Sequence, residues 1–190
     1  MYLVKKNLFL IPMSIVKVHN KEFKMYIEEA RIQNRVFEIA DEVFKQMQGQ
    51  VPHFVVILNG AFIFASDLLR AYQGPCKISF VKLSSYTGMK TSGVVHELIG
   101  LSEIAPNDKI IVLEDIVDTG TTLLKVDEIF KAKQIKWQIA SLFVKPDVYC
   151  GDREINYIGF EIPNKFIVGY GLDYDGLGRN LRDIYQLAKA

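Results

Sequence analysis

A chain of 190 residues that is 49% hydrophobic and 24% charged has the balance of an ordinary globular protein, long enough for one domain to bury most of its apolar surface. Its formal net charge of +1 supplies no steering field, and no basic stripe offsets that, which argues against a nucleic-acid partner. The two cysteines (Cys76, Cys150) and three histidines (His19, His53, His96) show no metal-ligand spacing, so a metal here needs oxygen ligands, and the thiols fit a reducing cytoplasm.

Taken in chain order, Lys5-Lys6 and the apolar run after them look faintly like a signal peptide, but the run is too short and lacks a cleavage site. Nothing elsewhere approaches a membrane-spanning run. Residues 1–14 read as an N-terminal extension, with Met13-Ser14 an alternative start, and residues 15–190 as a single domain. Residues 15–19 and 23–26 flank Asn20-Lys21 and predict a short hairpin. Residues 28–48 predict a helix, because Ile32, Val36, Ile39, Val43 and Met47 recur at spacings of three and four before Gly49. Residues 54–58 are continuously apolar, the pattern of a strand covered on both faces. Asn59-Gly60 follows as a turn, then a helix over 61–72 and a strand over 76–85.

The polar, glycine-bearing stretch 86–93 is long enough to move, and 94–98 reads as its return strand. A second buried strand over 110–113 leads into a helix over 119–133. Strands over 137–144, 157–160 and 166–168 follow. Alternating strands and helices imply an α/β fold with a mostly parallel sheet. Such sheets bind ligands beyond the carboxyl ends of their strands, here after Leu58, Leu113, Lys145 and Val168.

One stretch carries most of the chemistry. In Val112-Leu113-Glu114-Asp115-Ile116-Val117-Asp118-Thr119-Gly120-Thr121-Thr122-Leu123 an apolar strand meets two acids, two apolar residues, a third acid and a hydroxyl-rich turn that opens a helix. Thr119, Gly120, Thr121 and Thr122 form a turn whose backbone N–H groups converge on an anion at a helix start. No lysine follows, so this is not the common nucleotide-triphosphate loop. Carboxylates beside a phosphate repel it unless they meet sugar hydroxyls or a metal. Glu114 and Asp115 therefore suit ribose 2′- and 3′-hydroxyls, or Mg²⁺ held directly or through water. Asp118, at the mouth of the turn, either caps the helix or reaches a base attached to C1′.

This order closely resembles the phosphoribosyl-pyrophosphate signature of the type I phosphoribosyltransferases. From about residue 15 to residue 187 the chain also looks like the bacterial hypoxanthine-guanine branch of that family. The matching segments are Leu58-Asn59-Gly60, Ser85-Tyr86, Lys145-Pro146 and the run from Phe160 through Phe166 and Ile167 to Asp173. The resemblance implies a central mostly parallel sheet flanked by helices, a small hood and a mobile loop over 86–93. It also implies Mg²⁺, a homodimer or homotetramer, and purine salvage. Phosphoribosyl would pass from phosphoribosyl pyrophosphate to N9 of hypoxanthine, with guanine as a second base, giving IMP or GMP.

Residue by residue, the resemblance assigns the 5′-phosphate and ribose to residues 114, 115 and 118–122, with Asp118 the catalytic residue. It assigns pyrophosphate to Leu58, Asn59, Gly60, Ser85, Tyr86 and Arg179. The purine falls to Lys145, Phe166 and Ile167, and the metal to Glu114, Asp115 and Asp173. In relatives the bond at Leu58-Asn59 is often a non-proline cis peptide, and many have a basic residue where this chain has Asn59. Lys145 can donate to a purine O6, and Phe166 can stack on the ring. These features argue against adenine but leave open a xanthine-preferring enzyme. A phosphoribosyl-pyrophosphate-binding transcriptional regulator of the same fold remains the alternative from another class, and a receiver-type signalling domain would have no use for Lys145, Phe166 and Asp173.

Overall fold

The computed structural model describes residues 14–82, 104–105 and 107–188. Two sheets organise it. Five parallel strands stand in the order β4 (Lys77–Lys82), β3 (Pro52–Leu58), β5 (Lys109–Val117), β6 (Trp137–Val144), β7 (Tyr157–Glu161). Four short antiparallel strands form a second sheet in the order β1 (Ile15–Val18), β2 (Lys21–Ile27), β9 (Ile184–Leu187), β8 (Ile167–Val168).

The parallel sheet is covered on both sides, as its unbroken apolar strands require. Phe54 and Val56 of β3 pack with α1 (Glu29–Met47) and α2 (Phe62–Ala71), whereas Val55 and Ile57 pack with Val126 and Phe130 of α3 (Thr121–Ala132). Alternate side chains of one strand thus serve two cores. The apolar stripe predicted for α1 is buried as expected. Its first free amide, Glu29 N–H, donates to Asp183 Oδ1 at 2.8 Å, so the segment before β9 caps a helix that begins near the other end of the chain.

Three sequence expectations change, and one falls elsewhere. The hairpin turn is His19-Asn20 rather than Asn20-Lys21: His19 takes φ 52°, and Lys21 already pairs with Val18. The second buried strand does not stop at Leu113 but runs to Val117, pairing with β6 as far as Val144, so Glu114 and Asp115 lie inside β5. Strand β9 had no counterpart in the sequence reading, and β8 pairs with it in the second sheet rather than extending the parallel one. The moving stretch 86–93, its return strand, and Ser85 and Tyr86 lie outside the described residues.

At the amino ends of β3, β4 and β5, buried His53 bridges Ser79 Oγ (2.8 Å) and Asp108 Oδ2 (3.0 Å), and Lys77 donates to Asp108 Oδ1 (2.9 Å). This line of side chains sits at the edge of the sheet opposite the loops where ligands bind. Hydrogen bonds from Lys77 and His53 lower the Asp108 carboxyl to about 2. A depressed carboxyl stabilises the fold above its unfolded value and ceases to do so as pH falls through the folded one. Asp108 should therefore contribute about 2 kcal/mol, lost between about pH 4 and pH 2. Urea denaturation across that range should show a steeper loss for the native chain than for Asp108→Asn, and parallel curves would refute the contribution.

Candidate active site

The strand order reverses between β3 and β5: β3 leads through α2 to β4 on one side, and β5 through α3 to β6 on the other. At such a switch point the two loops splay apart and leave a crevice. The residues after Leu58 and after Val117 meet there.

From β5, residues 114–123 line a cavity of about 300 Å³. Helix α3 begins at Gly120, which takes φ 86°, and no side chain caps it. The cap reading of Asp118 is thereby excluded. The first turn of α3 carries no acid, so its free N–H groups and dipole face the cavity without a competing carboxylate. Thr119 and Thr121 hydroxyls lie 3.0 Å apart across the turn. The ring of Tyr149 supports it from behind, so close that a Cβ on Gly120 would stand 2.6 Å from Tyr149 Cε2. Nothing in the local pattern pointed to Tyr149.

Leu58-Asn59 is a cis peptide, as the resemblance implied. The loop it opens is packed on both sides. A Cβ on Gly60 would sit 1.6 Å from Asp115 Oδ2, and one on Gly171, whose φ is 102°, would sit 2.1 Å from the carbonyl oxygen of Gly60. Asp115, Gly60 and Gly171 thus form a stack with no room for side chains. For the phosphoribosyl pyrophosphate that the resemblance implies as substrate, Gly60→Ala should raise KM by about 10-fold or more, the effect of roughly 1.4 kcal/mol, since the methyl must displace the Asp115 carboxylate. Unchanged substrate kinetics in that variant would show that the stack has no bearing on binding.

The acids differ in environment. Glu114 is buried, burial and then Asp115 push its carboxyl well up, and its Oε2 accepts no hydrogen bond among the described residues. Asp115 is half-buried, and burial raises it to about 6, against the pull of the Ile116 N–H and of Arg179. Asp173 adds to that rise and therefore lies within electrostatic reach. Asp173 itself pairs with Arg179 (2.6 Å) and accepts from the Gly176 N–H (2.7 Å). Among the described residues no three such side chains form a metal cage by themselves. Asp115 thus lies within electrostatic reach of both Glu114 and Asp173, but the three do not form a cage by themselves.

Lys145 directly follows β6. It is 6% exposed, and its Nζ donates to Asp118 Oδ2 at 2.7 Å and to Asn164 Oδ1 at 3.5 Å. The backbone holds it there, with Lys145 N–H donating to Val117 O at 2.9 Å. Burying an ammonium is costly unless it is paired and hydrogen-bonded, and Asp118 and Asn164 supply those partners. Asp118 is the more open member, with 44% of its side chain exposed. Phe166 is 45% exposed and stands edge-on to Tyr174 at 5.7 Å, while the next residue, Ile167, is buried and paired with Gln186. A flat, apolar ring surface thus lies on the same loop system as Asn164, one of the two partners of Lys145.

Comparison with known proteins places these features in a family. The model of the phosphoribosyl transferase domain matches residues 25–175. The hypoxanthine-guanine phosphoribosyltransferase of Aquifex aeolicus is 34% identical over 174 residues, 90% of this chain and 98% of that protein. The crystal structure of a hypoxanthine phosphoribosyltransferase from Staphylococcus aureus superposes with a TM-score of 0.78 at 36% identity, covering 86% of this chain and 90% of the other. That of the Trypanosoma cruzi enzyme gives 0.79 at 29% identity, covering 90% and 94%.

Proposed function

The chain belongs to the phosphoribosyl transferase domain family, and we propose that it transfers the phosphoribosyl group from phosphoribosyl pyrophosphate to N9 of hypoxanthine and of guanine. IMP or GMP and pyrophosphate are the products, in purine salvage. The single observation that carries the base assignment is the buried Lys145–Asp118 pair at the mouth of an uncapped helix N-terminus. A 6-oxopurine presents an acceptor at O6 and a proton at N7, side by side. Lys145 donates to the first, and Asp118 accepts from the second. Adenine would set an amino donor against the ammonium.

The 5′-phosphate binds the turn formed by Thr119, Gly120, Thr121 and Thr122, and the ribose hydroxyls meet Glu114 and Asp115. Pyrophosphate lies over Leu58-Asn59-Gly60 toward Arg179, and Ser85 and Tyr86, which lie outside the described residues, are its further contacts in this reading. The purine stacks on Phe166, and the backbone at Ile167 meets its edge.

The carboxylate oxygens of Glu114, Asp115 and Asp173, with Glu114 Oε2 unpartnered among the described residues, suit a hard divalent cation shared with substrate oxygens. Asp115, Asp173 and, behind them, Glu114 would hold Mg²⁺ together with the pyrophosphate, and when bound it neutralises the leaving group. As the bond from C1′ to the pyrophosphate oxygen breaks, N9 attacks C1′ from the opposite face. Asp118 takes or holds the N7 proton and so keeps electron density available at N9. Arg179 contributes a positive charge where pyrophosphate departs.

No helix among the described residues is long and apolar enough to cross a membrane. The enzyme works in the cytoplasm, as a homodimer or homotetramer. Incubation with phosphoribosyl pyrophosphate, Mg²⁺ and each of hypoxanthine, guanine, xanthine, adenine and uracil tests the assignment. IMP and GMP should form fastest. Formation of AMP in preference, or of no nucleotide, would overturn it.

A further inference from the structure

We propose that Tyr170 is a positioning residue for the pyrophosphate half of the site, acting through a hydrogen bond from its hydroxyl to Asp67 of α2. The inference rests on the reading of this crevice as a phosphoribosyl-pyrophosphate site. It adds a pair of residues that touch no substrate.

Residues 169–171 form a run of three left-handed conformations, at φ 107°, 46° and 102°. Glycine adopts these without cost, but tyrosine does not, so something must hold Tyr170 there. Its side chain is 3% exposed and lies in the core beneath α1 and α2. Its hydroxyl donates to Asp67 Oδ2 at 2.5 Å. Burial, and then Asp67 itself, hold the phenol far above its ordinary value, so it remains a donor at every working pH.

Two loops depend on that anchor. Helix α2 follows directly from the Leu58-Asn59-Gly60 loop, and Asp67 lies within it. On the other side, Tyr170 N–H donates to Leu181 O (2.8 Å), Gly171 N–H donates to Arg179 O (3.0 Å), and Arg179 Nη1 donates to Gly171 O (2.6 Å). Arg179 in turn pairs with Asp173. The Cα of Gly171 rests on the Gly60 carbonyl, with no space for a methyl between them. The bond from Tyr170 to Asp67 therefore joins the segment that carries Asp173 and Arg179 to the helix that carries the cis-peptide loop. It sets the spacing between the two walls that pyrophosphate must bridge. The purine contacts are fixed independently, Ile167 by pairing with β9 and Lys145 by β6 and Asp118.

The prediction is a split between substrates. Tyr170→Phe removes one oxygen and keeps the buried ring. It should raise both the KM and the directly measured Kd for phosphoribosyl pyrophosphate, with Mg²⁺ present and no base, by about 5- to 20-fold, less than the full cost of a hydrogen bond to a charged group because the bond acts on the substrate only through the loops it holds. The KM for hypoxanthine and kcat should stay within about 2-fold, well short of the tenfold that 1.4 kcal/mol would give. Asp67→Leu should reproduce the defect, the double variant should be no worse than either, and Asp67→Asn, which keeps an acceptor, should restore most of the affinity. Unchanged phosphoribosyl pyrophosphate affinity in Tyr170→Phe overturns the inference while leaving nucleotide formation by the native enzyme, and thus the functional reading, intact. An equal loss for both substrates together with a lowered Tm would reduce Tyr170 to a packing residue and also overturn it. A native enzyme that forms no nucleotide defeats both.

Discussion

Asp118→Asn should lower kcat with hypoxanthine by about 10²- to 10⁴-fold, the usual contribution of a positioned acid or base. The Kd for phosphoribosyl pyrophosphate should hardly change. The separation follows from where Asp118 stands. It precedes the helix without capping it, since α3 starts at Gly120 and takes no side-chain hydrogen bond. The phosphate turn therefore survives its loss. Asparagine keeps an oxygen for Lys145 but cannot take a proton, so kcat and kcat/KM should fall together, the mark of an interaction made in the transition state. Asp118→Ala should show the same kinetic defect and a lower Tm besides, because it strips the close partner from an ammonium that is 6% exposed. Pre-steady-state turnover and isothermal titration separate the two effects. Near-full turnover in either variant would remove Asp118 from the chemistry.

How far this site could be read from the sequence depends on the range of each interaction. The turn proposed for phosphate is local: Thr119 to Thr122 with Gly120 has the pattern of an anion site because adjacent backbone groups make it. The cores were legible for the same reason, since α1 and β3 each expose their periodicity within a few residues. The end of β5 was not. Glu114 and Asp115 look like the close of a strand, yet cross-strand pairing with β6 carries it on to Val117. Strand β9 has only four residues and a partner more than 150 positions earlier, so nothing nearby marks it. The same distance hides the pairs that matter most. Lys145 and Asp118 are 27 residues apart, Tyr170 and Asp67 are 103 apart, and neither lysine nor tyrosine carries a local signal of burial. Sequence chemistry named Lys145 as a base contact through resemblance. Only the fold explains how a charged side chain can be held there, paired with the carboxylate of Asp118.

Lys145→Met tests that pairing from the other side. Methionine is apolar, flexible and of similar length, so it fills the buried space. It also leaves Asp118 with 44% of its side chain in solvent rather than stranded. The Tm should therefore change little, and phosphoribosyl pyrophosphate should bind as before. The kcat/KM for hypoxanthine and guanine should fall about 10- to 100-fold, the cost of losing one hydrogen bond from a charged donor. Adenine should lose nothing, because the ammonium that opposes its amino group is gone, and the preference for 6-oxopurines over adenine should shrink by at least the same factor. A lysine that served only to pair with Asp118 would give a different result. All bases would then suffer alike, the pH dependence of kcat would move, and the ratio of hypoxanthine to adenine would stay fixed. Measuring that ratio in Lys145→Met at fixed pH decides between a residue that reads the base and one that merely holds its neighbour.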